Sequence, residues 1–153
     1  MKKIWIIHNS LYGNSEKISN QIAEGLKESY DVIVSSIKNV SPQNLAKTEP
    51  YGLIIAVRII AFRSDIEIRK FIKDLNKVIT TPISKLAYFS THALIWKNLF
   101  IRGMKKTIRR MGCVEEVCPD YLEVKMDGAE GPAAEDSDAK IEKYISTLKE
   151  FLK

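Results

Sequence analysis

The apolar residues of this chain follow two alternating patterns. One pattern consists of short continuous runs, rich in isoleucine and valine, that polar segments separate. Runs of this length predict strands buried on both faces, as in a parallel sheet. Four clear runs occupy residues 4–7, 32–34, 53–57 and 86–89, and a weaker fifth run occupies residues 114–117.

The segments between these runs have apolar residues at helical spacing, which predicts amphipathic helices. Ser64 and Glu67 have the spacing of a capping box, so we expect Ser64 to be the N-cap of one helix. Gly112 follows another apolar stripe and is expected at its C-cap. The stripes lie in residues 14–28, 68–75, 100–111 and 138–152, and a short helical turn is predicted after Ser41 and Pro42.

Strand and helix patterns thus alternate along the whole chain. This order favours an α/β fold with a parallel sheet and helices on both faces. Right-handed crossovers then favour a doubly wound, five-stranded sheet of order 2-1-3-4-5 in a single domain, residues 1–153. Ligands of such sheets bind beyond the carboxyl ends of the strands. The loops expected to form a site are therefore residues 8–15, 57–64 and 90–98.

The composition excludes several classes of protein. With 153 residues, 45% of them apolar, the chain is too apolar for a disordered protein and long enough to bury a core. No apolar run reaches the roughly 18–20 residues of a membrane span. The first residues lack the apolar segment of a signal peptide, and two cysteines are too few for a disulfide framework. We therefore expect a cytoplasmic protein without a metal site.

The segment between the first strand and the first helix has the composition of an anion site. Residues 8–15 are rich in hydroxyl, amide and small side chains, and contain no Lys or Arg. The N-terminus of a helix attracts anions, and Gly13 allows the backbone to approach one closely. The sequence lacks the Gly-Lys-Ser/Thr of a nucleoside triphosphate site. An ordinary N-capped turn explains the same residue types equally well.

Several of these segments resemble the flavodoxin family. Ser10-Leu11-Tyr12-Gly13-Asn14-Ser15-Glu16-Lys17-Ile18 is similar to the family's phosphate loop, in which Tyr-Gly-Asn-Thr and a following Glu-Lys-Ile are frequent. Ile59-Ile60-Ala61-Phe62-Arg63 resembles the second flavin loop, and Phe89-Ser90-Thr91 resembles the third. Gly131-Pro132 is similar to the segment before the family's last helix. The resemblance implies non-covalently bound FMN and electron transfer.

The resemblance also implies which residues hold the cofactor. The phosphate would meet the first loop, and the isoalloxazine ring would lie between the second and third loops. The implied residues are Ser10, Leu11, Tyr12, Gly13, Asn14 and Ser15 for the first loop, Arg58, Ile59, Ile60, Ala61 and Phe62 for the second, and Ser90, Thr91 and His92 for the third.

The second loop departs from the family pattern. Ala56-Val57-Arg58 stands where the family usually has Gly-Ser-Gly. The family's loop flips a peptide when the flavin is half reduced, and β-branched residues such as Ile59 resist the positive φ that glycine allows. We therefore expect weak stabilisation of the half-reduced flavin. Arg58 either lies near the flavin and raises its reduction potential, or points into solvent.

Four further residues have two interpretations each. His92 either hydrogen-bonds the flavin or is a loop residue in contact with water. His8 is expected to be a structural residue beneath the first loop rather than a ligand. Trp96 and Phe62 each fit a residue stacked on the flavin or one packed against the protein.

The net charge of +5 bears on the partner. A basic run surrounds the fourth predicted helix, which fits either a solvated face or a docking surface. Many flavodoxins are acidic and dock on basic partners, so a basic member implies an acidic redox partner, such as a ferredoxin-like protein or a reductase. No aromatic residues interleave with the basic run, so we expect no nucleic-acid partner. The run consists of Arg102, Lys105, Lys106, Arg109 and Arg110.

The sequence therefore favours an FMN-binding electron carrier, either a monomer or a homodimer. Two alternatives stay open. One is an FMN-dependent oxidoreductase that acts on NAD(P)H, a quinone or a porphyrinogen. The other is a scaffold protein that has lost the flavin, because the side chains of Ala56, Val57 and Arg58 can fill the ring site.

Overall fold

The computed structural model describes residues 1–60, 63–92, 97–126 and 133–153. Its centre is a parallel sheet in which β2 (Asp31–Ser36), β1 (Lys3–His8), β3 (Gly52–Ile60) and β5 (Ile83–His92) lie side by side in that order. The fifth position is shared by β6 (Val114–Val117) and β7 (Leu122–Lys125), which both pair in parallel with β5. The predicted doubly wound fold and its strand order are therefore confirmed.

The fifth strand position is broken between β6 and β7. β6 pairs with the first half of β5 and β7 with the second half. Pro119 lies in the break, where it has no N–H to offer to a ladder. The carbonyl of Tyr88 lies opposite the break and accepts a hydrogen bond of 2.9 Å from the hydroxyl of Tyr144 instead. β7 is not among the predicted strands, although the alternating apolar residues Leu122 and Val124 are a signal for it.

Two strands extend further than their apolar runs predict. β3 continues to Ile60 and turns back through β4 (Arg63–Ser64), with which it forms an antiparallel hairpin. β5 continues to His92. Residues 58–60 and 90–92, which were predicted to lie in loops, are therefore in strands. The cause is the neighbouring strand, because pairs such as Arg58 with Thr91 extend the ladder past the apolar core.

Within the described residues five helices cover the sheet, and the structure corrects two of the predicted caps. Ser64 is paired in β4, so Asp65 caps the following helix in its place and accepts hydrogen bonds from two backbone N–H groups. Gly112 is not a C-cap, since its φ is not positive and its helix ends three residues earlier. The predicted N-cap Ser41 is confirmed. The helices are α1 (Asn14–Leu26), α2 (Pro42–Lys47), α3 (Ile66–Val78), α4 (Lys97–Arg109) and α5 (Ser137–Phe151).

The core consists of two apolar layers, one on each face of the sheet. Alternate residues of each strand point to opposite faces. Ile4 and Ile6 pack on the side of α1 and α5, whereas Trp5 and Ile7 pack on the side of α2, α3 and α4. Helices in the described part of the chain are too short or too polar to cross a bilayer.

A substitution at Gly25 tests the packing of α1 against α5. A Cβ at this position would lie 2.6 Å from Cγ2 of Ile145, whose β-branched side chain has little freedom in a helix. Gly25→Ala is therefore expected to destabilise the fold by about 1–3 kcal/mol, measured by urea unfolding. Gly103→Ala in α4 is the matched control, because nothing lies within 4 Å of its Cβ. Its helix propensity predicts a gain of up to about 1 kcal/mol, and equal behaviour of the two variants would contradict this packing.

Candidate functional site

The strands of the parallel sheet end at one edge, which we call the carboxyl edge. β1 ends at His8 and β5 at His92, which lies level with Lys125 at the end of β7. The strand order reverses at β1, because the chain places β2 on one side of β1 and β3 on the other, and such a reversal opens a crevice in doubly wound sheets. The polar residues that follow β1 and β3 meet there.

The loop after β1 ends in a left-handed turn at Gly13. Gly13 is the N-cap of α1, with a φ of 85° and a ψ of −3°. A glycine brings no side chain to cap the helix, so the first turn of α1 faces the loop without a side-chain cap. A Cβ at Gly13 would have nothing within 4 Å. The loop is therefore open in front of the helix N-terminus, which is the arrangement that binds an anion.

The hydroxyl groups near this helix start differ in their surroundings. Ser10 Oγ is shielded from solvent and has no hydrogen-bond partner among the described residues. Ser15 Oγ lies 3.5 Å from Oγ1 of Thr91, so the first turn of α1 reaches the end of β5. Leu11 and Tyr12 are exposed, at 62% and 53%. The structure thus brings Ser15 and Thr91 together, whereas the Leu11 and Tyr12 side chains point outward.

His8 supports the loop from below. It is buried, and its Nδ1 accepts a hydrogen bond of 3.3 Å from the backbone N–H of Ser10. This bond requires an unprotonated Nδ1, and hence the neutral imidazole. Burial lowers the pKa of His8 below its ordinary value, and the nearby carboxylate of Glu16 opposes that shift only in part. His8 is thus the structural residue that the sequence predicts.

A polar cluster that the sequence does not predict ties three elements together at the carboxyl edge, with Asn9 and Asp65 buried and Glu67 exposed. We call it the Asn9 cluster; its members are Asn9, Arg58, Asp65 and Glu67. The Asn9 amide donates to Asp65 Oδ2 at 2.9 Å and to Glu67 Oε2 at 2.7 Å. Arg58 Nη2 lies 3.2 Å from the same Asp65 oxygen. Polar residues placed directly after buried strands are the signal that could have found this cluster.

Asp65 uses both carboxylate oxygens within this cluster. Oδ2 accepts from Asn9 and Arg58, while Oδ1 accepts from the backbone N–H groups of Glu67 and Ile68. The side chain is only 4% exposed. A single carboxylate therefore caps α3 and holds the loop after β1 and the end of β3 against it.

The three residues that depart from the flavodoxin pattern have distinct environments. Ala56 and Val57 are buried in the two opposite core layers, so their side chains do not fill the carboxyl edge. The Arg58 side chain is about one-fifth exposed and paired with Asp65, so it does not point freely into solvent. Its carbonyl also accepts a hydrogen bond of 3.0 Å from the N–H of Asp65. The backbone at Arg58 is thus held at both its side chain and its carbonyl.

The end of β5 presents three predicted site residues. Ser90, Thr91 and His92 are all buried, between 2% and 7% exposed. His92 is therefore not the water-exposed loop residue that one interpretation expects. Ser90 Oγ is a second buried hydroxyl without a partner among the described residues. Several expectations fall outside those residues, namely the ones for Ala61, Phe62, Trp96, Gly131 and Pro132.

The lowered pKa of His8 predicts a pH dependence of stability. The unfolded chain takes up the histidine proton near pH 6.5, and the folded chain takes it up only at lower pH. The free energy of unfolding should therefore fall as the pH drops below about 6.5, and level off once folded His8 is protonated. His8→Asn retains an acceptor near the Nδ1 position and does not titrate. Urea unfolding at pH 7.0 and 5.5 should show a smaller decrease for this variant, and equal decreases would contradict the assignment.

The Asn9 cluster predicts a second effect on stability. Asn9→Ala leaves two adjacent carboxylates without their shared donor, and should cost about 1–3 kcal/mol of unfolding free energy. Asn20→Ala is the control, because Asn20 is exposed on α1, and its change should stay within about 0.5 kcal/mol. Thermal or urea unfolding measures both. A loss at Asn9 no larger than at Asn20 would show that the bridging amide does not contribute to the fold.

Comparison with known proteins gives a clear result for structure alone. Neither family models nor the sequences of characterised proteins match the chain. Solved structures match it over nearly its whole length. Flavodoxin 2 from Bacillus cereus has a TM-score of 0.75 and 18% identity, covering 98% of this chain and 99% of its own. A flavodoxin from the domain Archaea has a TM-score of 0.73 and 18% identity, covering 99% of both chains.

A larger protein contains the same fold as one part. The rubredoxin:oxygen oxidoreductase from the anaerobe Desulfovibrio gigas has a TM-score of 0.75 and 12% identity. The match covers 99% of this chain and 35% of that one. Together with the strand order and the five helices, these likenesses show that the chain has the flavodoxin fold.

Proposed function

We propose that this protein binds FMN at the carboxyl edge of the sheet and carries electrons between redox proteins. The observation that carries the proposal is the start of α1. There Gly13, in a left-handed conformation, leaves the helix without a side-chain cap, and the buried Ser10 hydroxyl has no partner among the described residues. Both features suit the phosphate of FMN, which supplies acceptor oxygens and negative charge.

The phosphate would be bound by dipoles rather than by cations. The residues that would hold it are those from Ser10 to Ser15, which include no Lys or Arg. The N-terminus of a helix acts as a partial positive charge, and hydroxyl and amide groups supply donors. His8 would keep the loop in place through its bond to the Ser10 N–H. This combination fits an anion that is bound permanently and does not react.

The ring of FMN would lie against the ends of β3 and β5. Arg58 and Thr91 are neighbours in the sheet, and the residues proposed around them are Ile59, Ile60, Ala61, Phe62, Ser90 and His92. When bound, FMN supplies the one- and two-electron chemistry, while the protein provides its orientation and electrostatic surroundings. Buried polar groups at this edge would fix that orientation and exclude water.

The pairing of Arg58 changes the expected electrostatics of this site. The Arg58 guanidinium pairs with the carboxylate of Asp65, and Asn9 links that carboxylate to the one of Glu67. Its positive charge is therefore compensated. We therefore expect that Arg58, paired in the Asn9 cluster, does not raise the reduction potential of bound FMN. An isolated arginine at the same place would raise it.

The proposed partner is a second redox protein with an acidic surface, since this chain has a net charge of +5. The likeness to flavodoxins and the absence of any acidic excess on this chain support such a pairing.

A titration with FMN tests the proposal. Purified protein is mixed with FMN and desalted, and retained absorption near about 375 and 450 nm reports the bound flavin. Ser10→Ala should weaken binding about tenfold, because a hydrogen bond to a charged group contributes roughly 1.5–3 kcal/mol. It should not destabilise the flavin-free protein, since the hydroxyl it removes is buried and unpaired. Ser29→Ala, an exposed serine, is the control.

Gly13→Ala is a second test at the same loop. An alanine at a φ of 85° costs about 1–2 kcal/mol of backbone strain, so the free loop should relax out of this turn. If the turn binds the phosphate, FMN must restore it, and affinity should fall about tenfold. Gly112→Ala, where the φ is not positive and the surrounding space is open, should bind normally. If the unmodified protein retains no flavin, the proposal is wrong and the loop serves another anion.

A further inference from the structure

The charges of this protein are unevenly distributed over its surface. The helices α3 and α4, together with Arg110, carry ten lysines and arginines against two acidic residues, a net charge of +8. The rest of the chain carries fourteen against seventeen, a net charge of −3. Both helices cover the same face of the sheet. The net charge of +5 is therefore concentrated on one face.

A groove runs between these two helices, and we call it the α3–α4 groove. Its volume is about 430 Å³. Arg69, Lys73 and Lys77 line the α3 side, and Lys106 and Arg110 line the α4 side. Gly103 also lines it, and a Cβ there would meet nothing within 4 Å. The missing side chain thus keeps the groove open between two rows of cations.

These five cations lack salt-bridge partners within the described part of the chain, although the charge of Lys77 contributes to lowering the pKa of Asp74. None of them forms a salt bridge there, although the adjacent Lys70 pairs with Asp74 at 2.8 Å. Arg69 Nε is shielded from solvent and has no acceptor among the described residues. Like charges held close together repel each other, so an anionic partner would relieve an unfavourable arrangement.

The groove begins next to the candidate site. Asp65 of the Asn9 cluster accepts a hydrogen bond from the N–H of Arg69, one helical turn and about 6 Å away along the axis. From Arg69 to Lys77 the groove extends for about 12 Å more. A segment bound there would hold its protein beside the carboxyl edge, where the flavin is proposed to lie.

We propose that the α3–α4 groove docks an acidic segment of a protein redox partner. The redox role of that partner rests on the proposed function, whereas the docking itself does not require FMN. Two rows of cations facing each other fit a strand or loop rich in Asp and Glu, and they would steer its approach. A concave groove suits an inserted segment better than a flat membrane. The lining residues that the structure describes include no aromatic side chain, which a single-stranded nucleic acid would need for base stacking.

The test measures binding of a fluorescent peptide of ten glutamates by anisotropy, with the flavin-free protein at low ionic strength. The groove variant is the triple substitution Lys73→Gln, Lys77→Gln and Lys106→Gln. The control is Lys38→Gln, Lys47→Gln and Lys143→Gln, which removes the same charge at exposed positions elsewhere. The groove variant should bind at least tenfold more weakly, and the control at most about threefold. Equal losses would overturn the proposal, because net charge alone would then explain binding.

Gly103→Leu separates the shape of the groove from its charge. The leucine side chain fits the open space and favours the helix, so the protein should fold with all its cations in place. The proposal requires it to weaken peptide binding at least fivefold while FMN binding stays unchanged. Unaltered peptide binding would show that the groove is not the binding site.

Two further probes decide between classes of partner. The same anisotropy assay is run with a twenty-nucleotide single-stranded DNA, and flotation is run with vesicles rich in phosphatidylserine. Weaker binding of both than of the peptide supports an acidic protein, and tighter binding of either overturns that choice. Since peptide binding is measured without FMN, its failure is distinct from a failure of the FMN titration.

Discussion

The amide of Asn9 is the contact on which the candidate site depends. Its two N–H groups are both used, one on Asp65 and one on Glu67, so the loop after β1 cannot move without breaking buried hydrogen bonds. Asp65 in turn caps α3 and holds Arg58. One small side chain thus fixes the relative positions of α3 and the ends of β1 and β3. Buried polar networks of this kind restrict the geometry of a site, and one donor of this network, Arg58 Nε, is shielded from solvent and has no acceptor among the described residues.

Two neighbouring sites of this protein would bind an anion through different interactions. At the start of α1 an anion would meet backbone N–H groups and hydroxyls, which hold it at fixed positions without a counterion. Along α3 and α4 it would meet mobile lysine and arginine side chains, whose attraction acts over a longer range and weakens with salt. The first arrangement suits a permanent cofactor, and the second suits a partner that binds and leaves.

The sequence predicts the fold well because apolar periodicity determines it. The runs around Ile6 and Ile54 and the stripes of α1 and α3 specify strands and helices that the core then requires. It predicts the site less well. The extension of β3 to Ile60 depends on pairing with β4 and β5. The residues of β3 alone do not indicate which strands pair with it. Within the Asn9 cluster, Asn9 bonds to residues 56 and 58 positions away along the chain, so no spacing rule finds these contacts. Position within the fold, rather than residue type, gives Asp65 its role as the cap in place of Ser64.

The break in the fifth strand position affects whether another strand can pair with this edge of the sheet. An intact edge strand offers a row of free N–H and C=O groups to any other extended chain. Here Pro119 interrupts that row, and the Tyr144 hydroxyl donates a hydrogen bond to the Tyr88 carbonyl at the gap. Burial holds the pKa of Tyr144 well above its ordinary value, so this phenol remains a donor across the physiological range. The edge formed by β6 and β7 is therefore a poor template for a sixth strand, which protects the protein from growing into fibrils through this side.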